Sequence, residues 1–313
     1  MGYTFSNGRF YFGKKQELIQ KDAAVNAALR KLRAYLDATE PDLVYFLVNM
    51  WRHQGQAITY KELREAILAG DISPELLEEW QQDYSRFVVS RMQPAWEVAI
   101  EAAAKEIADK YPEWSFDPMG DGVSRWVKNH GAEFVTNSTG TQIEALQAVV
   151  RKAAVLEDMG VDALARAIRP MVGLTKPQAV ANLNYYTKLI EKGVSEKRAR
   201  ELSILYGARQ HRYRAYNIAR TELALAYNQG SYEGTKQAQA AGYMGQVVKV
   251  WCTADDEREC SACNALDGKI VDIDGDFDFR TKLTSPTIRK VPPAHPSCRC
   301  SVLYKEIAPP AKK

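Results

Sequence analysis

Residues Tyr3 to Phe12 alternate aromatic and polar side chains around Asn7-Gly8. That dipeptide accepts the two positive φ angles of a type I′ turn, so a short hairpin is expected at the start of the chain. From Lys15 onward apolar positions recur at helical spacing. Start signals repeat along this stretch. Pro41 after Thr39 suits a first helical turn, Thr59-Tyr60-Lys61-Glu62 has the form of a capping box, and Ser73-Pro74-Glu75 supplies a cap, a preset φ and a favourable charge. The Ser73 helix is expected to run to Met92, or to pass Pro94 with a kink, because that proline lacks a backbone donor and crowds the preceding turn. Helix resumes over Trp96 to Tyr111, and prolines and glycines from Pro112 to Gly122 break it.

Two more capping boxes, Thr141-Gln142-Ile143-Glu144 and Thr175-Lys176-Pro177-Gln178, each precede an apolar-periodic segment, so helices are expected to dominate residues 124 to about 241. The last one, after Ser195, is long although Gly207, Gly230 and Gly234 each weaken it by up to ~1 kcal/mol. After Gly242 the pattern turns to β. Val247 to Trp251 reads as a strand, Ile270–Ile273 and Phe277–Phe279 flank Asp274-Gly275-Asp276 as a hairpin, and Val302-Leu303-Tyr304 reads as a closing strand. The fold class that follows is mainly α, a multi-helix body with a small carboxy-terminal β-rich module, α+β overall. The expected division is consecutive: hairpin and helical domain over 1–120, helical domain ending in a long basic helix over 121–243, β-rich module over 244–307, which the cysteines discussed below mark as zinc-binding, and a disordered tail over 308–313.

Composition adds few constraints. The 313 residues are 46% hydrophobic and 26% charged, an ordinary globular balance, and 42 basic against 39 acidic side chains give a net charge of only +3. A field that weak does not announce nucleic acid or membrane, so any such surface is local. The amino terminus lacks a basic segment followed by an apolar one, and the densest apolar run, Leu43 to Val48, is far shorter than the roughly 20 residues a bilayer requires. No secretory signal and no membrane partner are expected.

The five cysteines all lie between Cys252 and Cys300. An odd, clustered set favours a metal site in a reducing compartment over a disulfide framework. Cys260-Ser261-Ala262-Cys263 has knuckle spacing, and a second half follows as His295-Pro296-Ser297-Cys298-Arg299-Cys300. Cys260, Cys263, His295 and Cys298 form two similarly spaced pairs for one tetrahedral Zn²⁺, with Cys300 a competing fourth ligand. Cys252, in a strand pattern beside Trp251, reads as a small buried hydrophobe. A cysteine-rich set suits a closed, structural ion, and neither the H-x-E…P-C-x-x-C nor the H-E-x-x-H signature of catalytic zinc is present. No enzyme is expected. The acidic run Asp272 to Asp278 has its glycine at the wrong offset for a calcium loop, and Leu283 stands where a bidentate Glu would be needed.

The order of these motifs is specific when taken together. Ala219-Arg220-Thr221-Glu222 lies on a helix, then come Trp251, Asp256-x-Arg258-x-Cys260-x-x-Cys263-x-x-Leu266-x-Gly268, and Pro292-Pro293-x-His295-Pro296-x-Cys298-Arg299-Cys300. Over roughly residues 124 to 304 the chain resembles the Mu F-like family of phage minor head (head morphogenesis) proteins. The resemblance implies a structural component of the virion, at the capsid interior or portal vertex, and of the host cytoplasm during assembly. Portal and other head proteins are the implied partners, an oligomer in the virion is compatible with it, and the role is procapsid assembly or genome delivery. Residues 1 to 120 resemble nothing that assigns them a role.

Several residues beside these motifs carry their own expectations. Arg220 and Glu222 are expected to fix the helix against the zinc module through charge-assisted hydrogen bonds, and Asp256 and Arg258 to orient the ligands or close their turn. The stretch from Glu196 to Arg220 is basic with interleaved tyrosines, so Arg209, Arg212 and Arg214 are candidate contacts to phage DNA; a solvated helix face is the plainer alternative. A zinc-dependent hydrolase or nuclease, with Asp256 or Glu222 as base, is the competing function. It requires an open coordination position in a cleft.

Overall fold

The computed structural model describes residues 3–6, 9–12, 23–156, 159–253, 259–281 and 284–310. The chain is mainly helical with a small carboxy-terminal sheet region. In chain order the elements begin with β1 (Tyr3–Ser6), β2 (Arg9–Phe12), α1 (Ala23–Ala57), α2 (Tyr60–Ala69), α3 (Pro74–Phe87) and α4 (Gln93–Ala108). They continue with α5 (Asp121–Ala154), α6 (Val161–Ile168), α7 (Lys176–Glu191) and α8 (Glu196–Ala240). The last stretch holds β3 (Gln246–Cys252), α9 (Ser261–Asn264), β4 (Ile270–Asp272), β5 (Phe277–Thr281), β6 (Thr284–Arg289) and β7 (Ser301–Ala308).

Two compact units are interleaved along the chain: unit 1 takes residues 1–40, 95–127 and 217–313, and unit 2 takes 41–94 and 128–216. Sequence punctuation suggested consecutive segments cut at 120 and 243. The unit limits instead fall inside the helices α1, α4, α5 and α8, two of them at Pro41 and Pro94.

Unit 2 is helical. Ile58, Leu63, Ile67, Trp80, Val149, Ile168, Leu183 and Tyr186 belong to its buried core. The start signals at three of its helices act as expected. Glu62 accepts from the Thr59 amide at 2.7 Å while Thr59 accepts from the Glu62 amide at 3.1 Å, Ser73 caps α3, and Gln178 accepts from the Thr175 amide at 3.1 Å. Two other signals are overridden. Thr141 lies inside the unbroken α5, and the neighbouring Gln142 is buried, accepting from the Tyr84 hydroxyl at 2.9 Å and donating to Gln54 at 3.1 Å. The box residue Glu144 instead accepts from Lys176 at 3.0 Å, and a helix already running from Asp121 leaves no free amides there to cap. Pro41 lies inside α1 rather than in a first turn. At Pro94 the backbone takes a turn of π-helix over Val88–Met92, where the Gln93 amide reaches back to Val88, so the helical path continues through the missing donor.

In unit 1, β3 is the centre of a three-stranded antiparallel sheet ordered β4-β3-β7. β5 and β6 form a separate antiparallel pair. Asp274-Gly275-Asp276 therefore joins two sheets rather than turning a hairpin between β4 and β5, because β4 completes its ladder on β3. β1 and β2 pair in the expected antiparallel register, Ser6 opposite Arg9; the turn residues 7 and 8 are outside the described residues, as are 311–313 of the tail. Against this sheet region runs the second half of α8. Gly230 permits the crossing of α4, since a Cβ there would stand 2.3 Å from the Ile100 carbonyl oxygen. A glycine that costs helix propensity is retained where two backbones touch.

Candidate metal centre

Cys260 is the N-cap of the single turn α9, with extended backbone, and its Sγ accepts from the Cys263 amide at 3.4 Å. Asn264 and Leu266 close the turn onto the Cys260 and Cys263 carbonyls, at 3.0 and 2.9 Å. This is how the CxxC spacing turns both sulfurs to one side. The second half comes from the loop before β7. The Cys298 amide bonds the His295 carbonyl at 3.1 Å, and Ser297 between them takes a left-handed φ of 57°.

His295 Nδ1 lies 2.9 Å from the Pro296 carbonyl, which only an N–H can satisfy. That bond leaves the Nε2 lone pair for a ligand. Nε2 stands 3.1 Å from both Cys260 Sγ and Cys263 Sγ. On the other side of Cys263, the Cys298 sulfur is 3.7 Å away. The donors form two trios, Cys260/Cys263/His295 and Cys263/Cys298/Cys300, each with its atoms within 4.8 Å of one another. All five cysteines are free thiols, and Cys263, Cys298 and Cys300 are buried.

Three sulfurs this close cannot all ionise unaided. Hydrogen bonds from Cys263 and Cys300 hold the Cys298 thiol well below the usual range, while the bonds to Cys298 and Cys300 push Cys263 up. A divalent cation among them removes that conflict, so the donor set, its burial and the histidine tautomer fit a thiophilic metal. The ligands also are much of the local core. Cys263, Cys298 and Cys300 share a buried cluster with Trp251, Leu266, Phe277, Ala294 and Val302.

α8 holds this loop by residues that the sequence reading did not single out for the task. The Ser297 amide donates to Thr221 Oγ1 at 2.9 Å and its hydroxyl to Asn217 Oδ1 at 2.6 Å. Further along, Asn228 Oδ1 accepts from the Val302 amide at 3.2 Å and the Ser301 hydroxyl at 3.3 Å. Positions 217, 221 and 228 fall on one helix face, a spacing present in the sequence but not distinguishable there from other polar stripes. Arg220, turned about a quarter of a circle from Thr221, pairs with Glu40 at 2.9 Å and Asp37 at 3.6 Å on α1. Glu222 is half-buried on the same helix. Asp256 and Arg258 lie outside the described residues.

Of the basic-helix residues, Arg209 and Arg212 are exposed. Arg214 is not available to DNA: it is 7% exposed, donates to the Gly173 carbonyl and stacks on Trp51 at 4.8 Å. Charge count along a helix does not say which arginine faces inward. Cys252, as expected, is buried with Val25 and Val250.

The sequence profile of the family described as Phage Mu protein F like protein matches residues 138–303, just over half of the chain and inclusive of all five candidate ligands. No curated protein and no solved structure matches the chain.

Proposed function

The chain belongs to the Phage Mu protein F like family, and on that premise we propose that this phage head morphogenesis protein is a minor, non-enzymatic component acting at or near the portal in procapsid assembly or genome delivery, its carboxy-terminal region stapled by one structural Zn²⁺. The observation that carries the zinc reading is the convergence of CxxC and HxxCxC donors in a buried cluster of the sheet region, where Cys263, Cys298 and Cys300 stand among Trp251, Leu266, Phe277, Ala294 and Val302. A bound ion would there supply folding free energy that the small apolar core does not. Cys260, Cys263, His295 and Cys298 would hold it, with Cys300 the competing donor. Portal and capsid proteins are the partners, and the virion, with the host cytoplasm during assembly, is the location.

Metal analysis of the purified chain tests the staple. One zinc per chain is expected, lost in Cys263→Ser and retained in Cys252→Ser. No zinc in the native chain, with melting unchanged in Cys263→Ser, rejects it. Immunogold labelling of procapsids tests the location: label at a single vertex is expected, and label at all vertices counts against the portal. DNA is a further proposed partner through exposed Arg209 and Arg212, and retention on duplex DNA that falls steeply with salt is the check.

A further inference from the structure

Unit 2 carries a half-open pocket of about 330 Å³ that none of the candidate metal ligands lines. Its apolar wall is made by Val48 and Trp51 of α1, Val172, and Ile204 of α8. Three arginines, Arg52, Arg169 and Arg212, complete it, and no carboxylate stands among its lining residues. Arg169 donates to the Gly55 carbonyl at 2.8 Å and lies over the Tyr60 ring at 4.7 Å, while Arg52 donates to Asn49 at 3.2 Å. Beneath the wall, the buried Arg214 stacks on Trp51. None of the four forms an ion pair among the described residues, whereas Arg166, Arg198 and Arg200 on neighbouring surface all do. His211, also in the lining, bonds the Val172 carbonyl at 2.8 Å, and burial lowers its pKa to about 4, so it stays neutral near pH 7.

Apolar surface continues outward from this pocket. Ile204 is 43% exposed and Leu205 60%. On α1, Tyr45, Val48, Arg52 and Gln56 recur at the spacing of one helix face, and Tyr45 is 66% exposed. An apolar hollow with an uncompensated positive rim selects an occupant with both properties. We propose that the pocket is a docking site for an acidic protein segment, which inserts one bulky apolar side chain between α1 and α8 and sets flanking carboxylates on Arg52 and Arg212. The volume is at the low end for a ligand pocket and suits one anchor side chain. Aromatic and arginine groups around such an anchor are the common make-up of an interface hot spot. A duplex DNA backbone would answer the charge but offers no apolar body to remove Trp51 and Ile204 from water. The inference stands on unit 2 alone and survives or fails independently of the zinc reading.

The test uses the full chain and a displayed library of random dodecapeptides, counter-selected on Ala208→Trp, which fills the pocket from its α8 side. Enrichment of peptides with a large apolar residue flanked by Asp or Glu is expected. A synthetic peptide of that consensus should lose roughly tenfold or more in affinity to Arg212→Glu and little to Arg209→Glu, on the same helix outside the lining. Circular dichroism melting of each variant keeps folding failure distinct from lost binding. No enrichment, a basic or neutral consensus, or equal binding to Ala208→Trp overturns the proposal. Competition by duplex DNA that needs both Arg212 and Ile204 also overturns it, in favour of a nucleic-acid occupant.

Discussion

Replacing Asn228 with alanine removes the carboxamide that joins α8 to the edge of the carboxy-terminal sheet. Asn228 is 1% exposed; its Oδ1 takes the Val302 amide and the Ser301 hydroxyl, and its Nδ2 donates to the Ala224 carbonyl at 2.8 Å. β7 is an outer strand in the order β4-β3-β7, and Val302 is buried on it. Alanine offers no acceptor, and an orphaned buried N–H costs about 1–3 kcal/mol. The Ser301 hydroxyl can turn to another partner, and alanine returns about 0.5 kcal/mol of helix propensity. The orphaned amide dominates, for a net loss of about 1.5 kcal/mol. Urea unfolding of the full chain should show that loss, and hydrogen exchange followed by mass spectrometry should show roughly tenfold faster exchange across Ser301–Ala308. An additive double change with Ser301→Ala would deny the bond between them, and an unchanged midpoint with unchanged exchange in β7 would refute the assigned role of Asn228.

Three further outcomes rest on separate contacts. Gly230→Ala should destabilise by about 1–3 kcal/mol because its Cβ meets the Ile100 backbone, whereas Gly140→Ala, in open space within α5, should stabilise by about 0.5–1 kcal/mol; thermal melts of the two variants decide. Lys249 is 0% exposed, with its ammonium on the Gly275 and Lys290 carbonyls at 2.7 and 2.9 Å, and burial lowers its pKa to about 8. The folded state therefore holds fewer protons than the unfolded one between about pH 8 and the ordinary value of 10.5, so stability rises with pH across that window and is lost as pH falls through 8. The span corresponds to roughly 3 kcal/mol, and subtracting the pH profile of Lys249→Met isolates it; parallel profiles would contradict it. Arg214→Ala should cost about 2–4 kcal/mol by leaving the Gly173 carbonyl without its donor, while Arg212→Ala, exposed on the opposite side of α8, should change the melting point little.

What local chemistry decides was legible from residue order alone. Caps at Thr59, Ser73 and Thr175 need only partners three residues away, and the CxxC turn places two sulfurs by spacing, so these elements follow from short-range geometry. The mainly helical class and the terminal sheet region follow from periodicity, which is also local. Tertiary contacts decided the rest. The box of Thr141 and Glu144 goes unused because α5 already runs through it from Asp121, β4 abandons Phe277 for β3 because a ladder on Val248 to Val250 completes it, and Gly230 stands mid-helix where another backbone needs its space. The same holds at the metal centre. Its donors are named by their spacing, but that Thr221 and Asn217 hold the loop while Arg220 pairs with Glu40 depends on which side of α8 meets Ser297, a rotation of about 100° per residue that only the packed chain sets.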